Sequence, residues 1–460
     1  MYFLFAGISF SQGLFESAQT GNTEPGNGSS LSMGGFIRSA AFIGQTAIKE
    51  ETYFQSAYAQ AGLLLNAKAG SWAHAKADIR FRVGTEWHQT VSETDLREAY
   101  VDLSAGPAGF RLGKMITPWG KGSIFNPTDK ITPLDPTVRS PDEDDMRLGF
   151  WGLQGHLNLG PWMKLTATWK PLYRSSVLLI DPVPMPAYVH FLEPDFPGVE
   201  LKEGSYGLNF DLHAPVLDLS LYWFDGYMHW PGIAFDSFEL DDADMEPQAL
   251  NLYEKAYQIK SLGMDLSLPL GSWIVRAEGA WQQTSGAIQD QEYLPYSEVS
   301  YTAEFERSGA YLTLLGGYYG KYILDYETPG ADPSLSAGED QFEELMKSGI
   351  PVTQELMDGI IRDRITSFNR LYNYQLEEFY HSVFFVMKGT LWQDRLELSV
   401  PVIYHITSEE WIIQPGVSWM AGDGIRVSAG YMGMSGPGNS LYELVGPVLN
   451  AGYLSFKLTF

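Results

Sequence analysis

Residues 454–460 alternate strictly: Leu454, Phe456, Leu458 and Phe460 fall on one side of an extended chain, and Ser455, Lys457 and Thr459 on the other. The same period of two recurs from end to end, and it leaves few folds open. Ala75, Ala77, Ile79, Phe81 and Val83 oppose His74, Lys76, Asp78, Arg80 and Arg82, with Glu86 following on the polar side. Met163, Leu165, Ala167 and Trp169 oppose Lys164, Thr166 and Thr168; Leu217, Leu219, Leu221 and Trp223 oppose Asp218, Ser220 and Tyr222. Trp273, Val275, Ala277 and Trp281 oppose Arg276 and Glu278; Leu396, Leu398, Val400 and Val402 oppose Arg395, Glu397 and Ser399. Strands written this way have one apolar and one polar face. A soluble sandwich alternates too, but its polar face looks onto bulk water.

The connections narrow the choice. Tight turns fall at Gly70-Ser71, Gly106-Pro107, Gly160-Pro161, Ala214-Pro215, Gly271-Ser272, Ser308-Gly309, Gln393-Asp394 and Asp423-Gly424, and a longer connection lies between each consecutive pair. Short turns on one rim and long loops on the other are the rhythm of a membrane-spanning barrel. The reading is therefore all-β: a transmembrane, antiparallel, up-and-down β-barrel of about eighteen strands, with sixteen as the alternative count. Mean hydropathy is −0.14, too low for a bundle of membrane helices, and a barrel explains it because only alternate residues meet lipid. The 13 Trp, 26 Tyr and 25 Phe suit the two membrane–water interfaces. Residues 35–460 are assigned to the barrel, 13–34 to a flexible periplasmic lead-in, and the apolar stretch 1–12 to the remnant of a signal peptide.

Charge and motif content exclude several functions. A net charge of −26 argues against nucleic acid as a partner, since phosphate binding needs clustered Lys and Arg. There is no cysteine, so thiolate metal sites and Cys nucleophiles are excluded. The eight His residues are scattered without a His-Glu-x-x-His motif, Gly120-Lys121-Gly122 lacks phosphate-loop spacing, and Gly433–Pro437 is not a nucleophile elbow. Neither enzyme nor cofactor is expected. The acidic clusters at Asp142–Asp145 and at Asp241, Asp242, Asp244 and Glu246 read as solvated loop charge, with a weak Ca²⁺ or Mg²⁺ bridge as the alternative.

The candidate site is the wet interior. Lys76, Asp78, Arg80, Arg82 and Glu86, followed by Glu98, Asp102, Arg111 and Lys114, and by Arg276, Glu278, Arg395 and Glu397, are the expected pore-lining charges. They either select solutes or pair across strands and brace the wall. Long loops occupy 118–145, 173–203, 227–255 and 326–377. The first holds five prolines and is expected to be stiff, either folded inward as a constriction or ordered outside. Two carry apolar residues that suit contact with a partner, a greasy approach to the barrel, or packing among loops. The last holds a helical stripe of Leu356, Ile360, Ile361, Ile365 and Phe368, with Ser336 and Glu339 at capping-box spacing upstream. That stripe could cap the mouth, plug the lumen, bind a partner or pack on neighbouring loops. The terminal Leu454, Phe456, Leu458 and Phe460 are assigned to barrel closure and the assembly signal.

The runs LREAYVDL (96–103), FRLGK (110–114), PWG (118–120) and NPTD (126–129) resemble the porin-type barrels of Gram-negative outer membranes. They come nearest a porin-like group linked with export or hydrophobic-compound transport. The likeness covers residues 96–129 and the final strand. It implies solute passage across the outer membrane, passive or partner-assisted, by an integral protein with both termini periplasmic. It also implies contact with outer-membrane lipid, lipopolysaccharide and the barrel assembly machinery, and it transfers no catalytic residue. The alternative is a plugged barrel that serves as a binding or scaffold component, recruiting another envelope protein through its long loops.

Overall fold

The computed structural model describes residues 29–45, 51–180, 183, 185–240, 247–286, 291–330 and 353–460. The stretch 1–28, the acidic cluster 241–246 and the Ser336/Glu339 pair lie outside the described residues. In chain order the strands are β1 (Ser30–Gln45), β2 (Thr52–Ala69), β3 (Ala73–Glu86), β4 (Gln89–Ala105), β5 (Ala108–Met115), β6 (Phe150–Asn158), β7 (Met163–Lys170) and β8 (Val189–Phe191). Then come β9 (Ser205–Ala214), β10 (Leu217–Tyr227), β11 (Gly232–Leu240), β12 (Pro247–Lys255), β13 (Gln258–Leu270), β14 (Trp273–Thr284), β15 (Glu298–Ser308) and β16 (Leu312–Ile323). β17 (Phe379–Leu391), β18 (Leu396–His405), β19 (Glu410–Ile413), β20 (Gly416–Gly422), β21 (Ile425–Ser435) and β22 (Ala451–Thr459) complete them. Two helices, α1 (Gln354–Tyr372) and α2 (Leu441–Leu449), sit in the connections before β17 and β22.

Nineteen strands form one antiparallel sheet. β19 and β20 both pair with β18 and with β21, so they are two halves of one stave and the barrel has eighteen. The break falls at Pro415, which has no N–H to give the ladder. The sheet closes where β1 residues 36–44 pair with β22 residues 459–451. At the seam Gly35 and Phe460 exchange two backbone hydrogen bonds of 2.9 and 3.0 Å. Closure removes the edges that an open sheet would expose to hydrocarbon.

The outward face is apolar and bounded by aromatic rings at both ends. Trp72, Trp162, Trp273, Tyr311, Trp392 and Trp419 lie exposed near the short turns; Trp151, Tyr206, Trp223, Phe379, Tyr404, Trp411 and Tyr431 lie exposed near the long loops. Leu454, Phe456 and Phe460 are exposed on the same outer face, as the terminal alternation predicts. Every tight turn named from sequence joins two staves.

Boundaries differ in places. The barrel begins at Ser30 rather than 35, so part of the expected lead-in is strand. β4 starts at Gln89 because Trp87 and His88, at φ 48° and 67°, make a two-residue hairpin turn without the Gly or Asn that usually marks one. β4 then pairs with β5 only over 99–105, so its upper half has no ladder partner on that side among the described residues. Loops 173–203 and 227–255 are not irregular. They contribute β8, β11 and β12 to a separate three-stranded sheet above the barrel.

α1 lies on that sheet. Asn369 accepts from Ile233 N (2.9 Å) and donates to the carbonyls of Ile233 (2.8 Å) and Glu292 (2.9 Å), while Ile365, Phe368 and Leu371 are buried among Trp230, Ile233, Phe235 and Leu252. Ile360 and Ile361 pack at the margin and Leu356 remains exposed. The stripe packs on the neighbouring loops, and the packed unit covers the outer side of the barrel. The helix starts at Thr353, whose hydroxyl accepts from Leu356 N.

Candidate functional site

Residues 116–149 leave β5 and turn into the lumen. Phe125 and Ile131, in the middle of this loop, are fully buried. The loop touches walls on both sides of the barrel. β14 is the eleventh stave and β2 the second, nine apart in a ring of eighteen, so the loop spans the bore.

Its first half meets an acidic wall. Glu278 on β14 accepts hydrogen bonds from the backbone N–H of Lys121 (3.1 Å), Gly122 (2.9 Å) and Thr128 (2.8 Å), and from the Thr128 hydroxyl (2.8 Å). Ser123 N donates to Glu304 on β15 (2.8 Å), and Lys121 Nζ lies 3.0 Å from Asp265 on β13. Such charge-assisted bonds are roughly twice as strong as neutral ones. The local backbone is shaped for them: Gly120 has φ +85°, and a Cβ there would run into Asn126, Thr128 and Glu278. That explains the glycine of Pro118-Trp119-Gly120.

The second half meets a basic wall. Asp142 and Asp145 both bind the guanidinium of Arg38 on β1. Asp145 also binds Arg80 on β3, and Asp142 lies 3.0 Å from Lys457 Nζ on β22. Arg97 on β4 donates to the Asp144 carbonyl, and Arg139 to Gln55 and to the Leu449 carbonyl. Burial by itself would push the Asp145 carboxyl up, but Arg38, Arg80 and Arg97 outweigh it and hold it well below the usual carboxylate range. Two members of the expected solvated cluster, Asp142 and Asp145, are therefore internal counter-ions for the wall cations, while the Asp144 carboxylate stays exposed.

The sequence-derived charges fall into three groups. Lys76, Asp78, Arg80, Arg82, Glu86, Glu98, Asp102, Arg111, Arg276, Glu278 and Glu397 all point inward. Most are paired: Lys76 with Glu98 (2.6 Å), Arg111 with Asp102 (2.6 Å), Arg276 with Glu306 (2.7 Å), Lys388 with Glu397 (3.0 Å) and Arg82 with Glu86. Lys114 does not point inward. It lies three residues from Arg111, an odd step that turns it to the outer face with Phe110 and Leu112 and opposite exposed Trp151. Arg395 sits in the exposed turn before β18, at the rim and not in the bore.

Three cations that anchor the loop were not expected as site residues. Arg38 was hidden because its strand is apolar on both faces: Phe36, Ala40 and Phe42 are buried inside while Ile37 and Ile43 face out. Arg97 escapes strict alternation, since a bulge beside Asp78/Ile79 turns both Arg97 and Glu98 inward. Lys457 was legible as polar-face but had no visible partner so far away in sequence.

The fold also assembles two Ser–His pairs, Ser176–His229 (2.8 Å) and Ser382–His405 (2.7 Å). All four residues are buried. His405 Nε2 meets the Tyr442 hydroxyl on α2 (3.0 Å), so this pair ties the helix to the wall.

No protein-family model matches the sequence, and no curated protein matches it. Solved structures do match in fold. OccAB4 of Acinetobacter baumannii aligns over 94% of this chain and 98% of its own at 10% identity, with a TM-score of 0.52. OpdO of Pseudomonas aeruginosa aligns over 94% and 96% at 11% identity (TM-score 0.51), and OccK5 (OpdH) of the same organism over 93% and 98% at 10% identity (TM-score 0.50). The chain shares the closed, antiparallel eighteen-stave barrel fold of these structures.

Proposed function

We propose that the protein is an integral outer-membrane channel that passes small solutes through a lumen narrowed by residues 116–149. The observation that carries this reading is a closed barrel with an apolar outside and a charged inside, bridged by one ordered loop. The fold likeness to porin-type barrels supports it, as does the placement of charge against the loop: the cations Arg38, Arg80, Arg97 and Lys457 on one side, and the acids Asp265, Glu278 and Glu304 of β13–β15 on the other. A solute in the bore meets a field directed across its path, which sorts solutes by charge and dipole. Purified protein reconstituted in planar bilayers should give discrete conductance steps smaller than those of an unobstructed barrel of this size. A reproducibly silent barrel would sink the channel reading.

A second reading is supported by the cap. Loops 173–203 and 227–255, α1 and the inward loop share one apolar core; on this reading the barrel is plugged and its cap docks another envelope protein. Co-purification of a stoichiometric partner in mild detergent, lost when 353–372 is removed, would favour it over the channel.

A further inference from the structure

Most of the outer end of the lumen is closed by apolar side chains, but one place differs. Where Lys130 of the inward loop meets the outer ends of β14, β15 and β16, polar side chains converge on a small cavity. Lys130, Gln282, Glu298, Lys321, Asn373 and Gln375 line it, and its volume is about 20 Å³. That is room for a water and too little for a larger resident ligand. Trp230 and Tyr257 close its other side.

Two of these groups set the chemistry. The indole N–H of Trp230 and Oε1 of Gln282 are buried and have no hydrogen-bond partner among the described residues. An orphaned buried donor or acceptor costs about 1–3 kcal/mol. A water that accepts from the indole and donates to the amide oxygen removes both costs. The rest of the lining is held in place: Lys321 Nζ contacts Glu298 (2.9 Å) and the Asn373 carbonyl (3.0 Å), and Gln375 donates to Glu298 (2.8 Å). Below this point the inward face of β15 continues polar through Ser300, Thr302, Glu304 and Glu306 toward the short-turn rim.

We propose that this hydrated seam between Lys130 and the β14–β16 wall is where water and small polar solutes cross the sealed part of the lumen. The inference rests on the channel reading. Two lysines and one glutamate give the seam a net charge of +1, so small monovalent anions pass it more readily than cations of equal size. Larger solutes cross only when the inward loop gives way.

The chain has no cysteine, so a single introduced thiol reports cleanly on this path. Gln282→Cys and Gln375→Cys place one in the seam, and Gln55→Cys places a control in the Arg139 contact at the opposite wall. Each reconstituted protein is treated with a small methanethiosulfonate reagent, followed by mass analysis and by bilayer conductance. The proposal expects the seam thiols to be labelled in the folded barrel, the conductance to fall by more than half, and the control to stay unlabelled. Conducting barrels whose seam thiols never react would overturn it, because the path would then lie elsewhere. Barrels that never conduct, labelled or not, would fail with the channel reading itself. Should the cysteine variants not fold, Lys130→Met provides a second measurement. In a KCl gradient its reversal potential should move toward cations, and an unmoved potential would count against the seam.

Discussion

At the scale of single residues, the account turns on which charges hold the inward loop. Removing one partner of a buried ion pair leaves the other uncompensated, at a cost of about 3–5 kcal/mol. Asp145→Ala removes the counter-ion shared by Arg38 and Arg80, while Asp142 still holds Arg38 and Asp78 still holds Arg80, so the second half of the loop should loosen and the conductance rise modestly; an unchanged conductance would show that this carboxylate does not hold the loop. Acid should not release it. A carboxyl whose folded value is depressed contributes stability above its unfolded value, and loses it only as pH falls through the folded one. For Asp145 that lies far below the usual range, so conductance should stay level from pH 7 to 5. Lys130 behaves oppositely. Burial pushes its ammonium down to about 8, with Lys321 adding to the effect and Glu298 opposing it. Charge on Lys130 is present below that value and lost as pH rises through it. Any anion preference should therefore fade between pH 7 and 9 in the native protein and fade clearly less in Lys130→Met, where Asp129, Glu278, Glu298 and Lys321 remain to report their own share. These residues also show where reading by parity works and fails. The inward set from Lys76 to Glu86 was legible because β3 alternates without interruption. Arg97 was not, since a bulge shifts the period there, and Lys114, three residues from Arg111, belongs to the opposite face.

At the scale of elements, strands and tight turns were readable because each is local: two faces, a period of two, and turn residues at the ends. The loops were not. Five prolines announced that 118–145 would be stiff, but its direction is fixed by partners such as Glu278 and Arg38, more than a hundred residues away. β11 and β12 read as apolar loop because both carry short apolar runs that suit a strand or a packed coil equally. The Leu356–Phe368 stripe was visible as amphipathic, while what it covers depends on a sheet that no local pattern foretold. Two tests belong here. Glu278→Ala removes the acceptor of four loop hydrogen bonds and should free the first half of the loop, raising conductance; Glu278→Gln, which keeps an acceptor, should do so less. Asn369→Ala breaks two bonds between α1 and the cap sheet and a third to the Glu292 carbonyl in the β14–β15 loop. At about 0.5–1.5 kcal/mol for each bond, it should make the cap more susceptible to limited proteolysis while leaving the barrel's resistance to detergent unchanged.

At the scale of the whole molecule, closure and obstruction are separate properties. Closure rests on the β1–β22 seam and its last residue pair, Gly35 and Phe460. Obstruction rests on the inward loop strung between its two anchoring walls and on the cap packed over it. The most direct test is to compare single-channel conductance of the intact protein with that of a variant in which residues 120–147 are replaced by a short flexible linker. The account predicts small steps for the intact barrel and a several-fold rise in the variant, toward the conductance of an open eighteen-stave bore. Equal conductances in two folded barrels would mean that the loop does not control passage, and would contradict it.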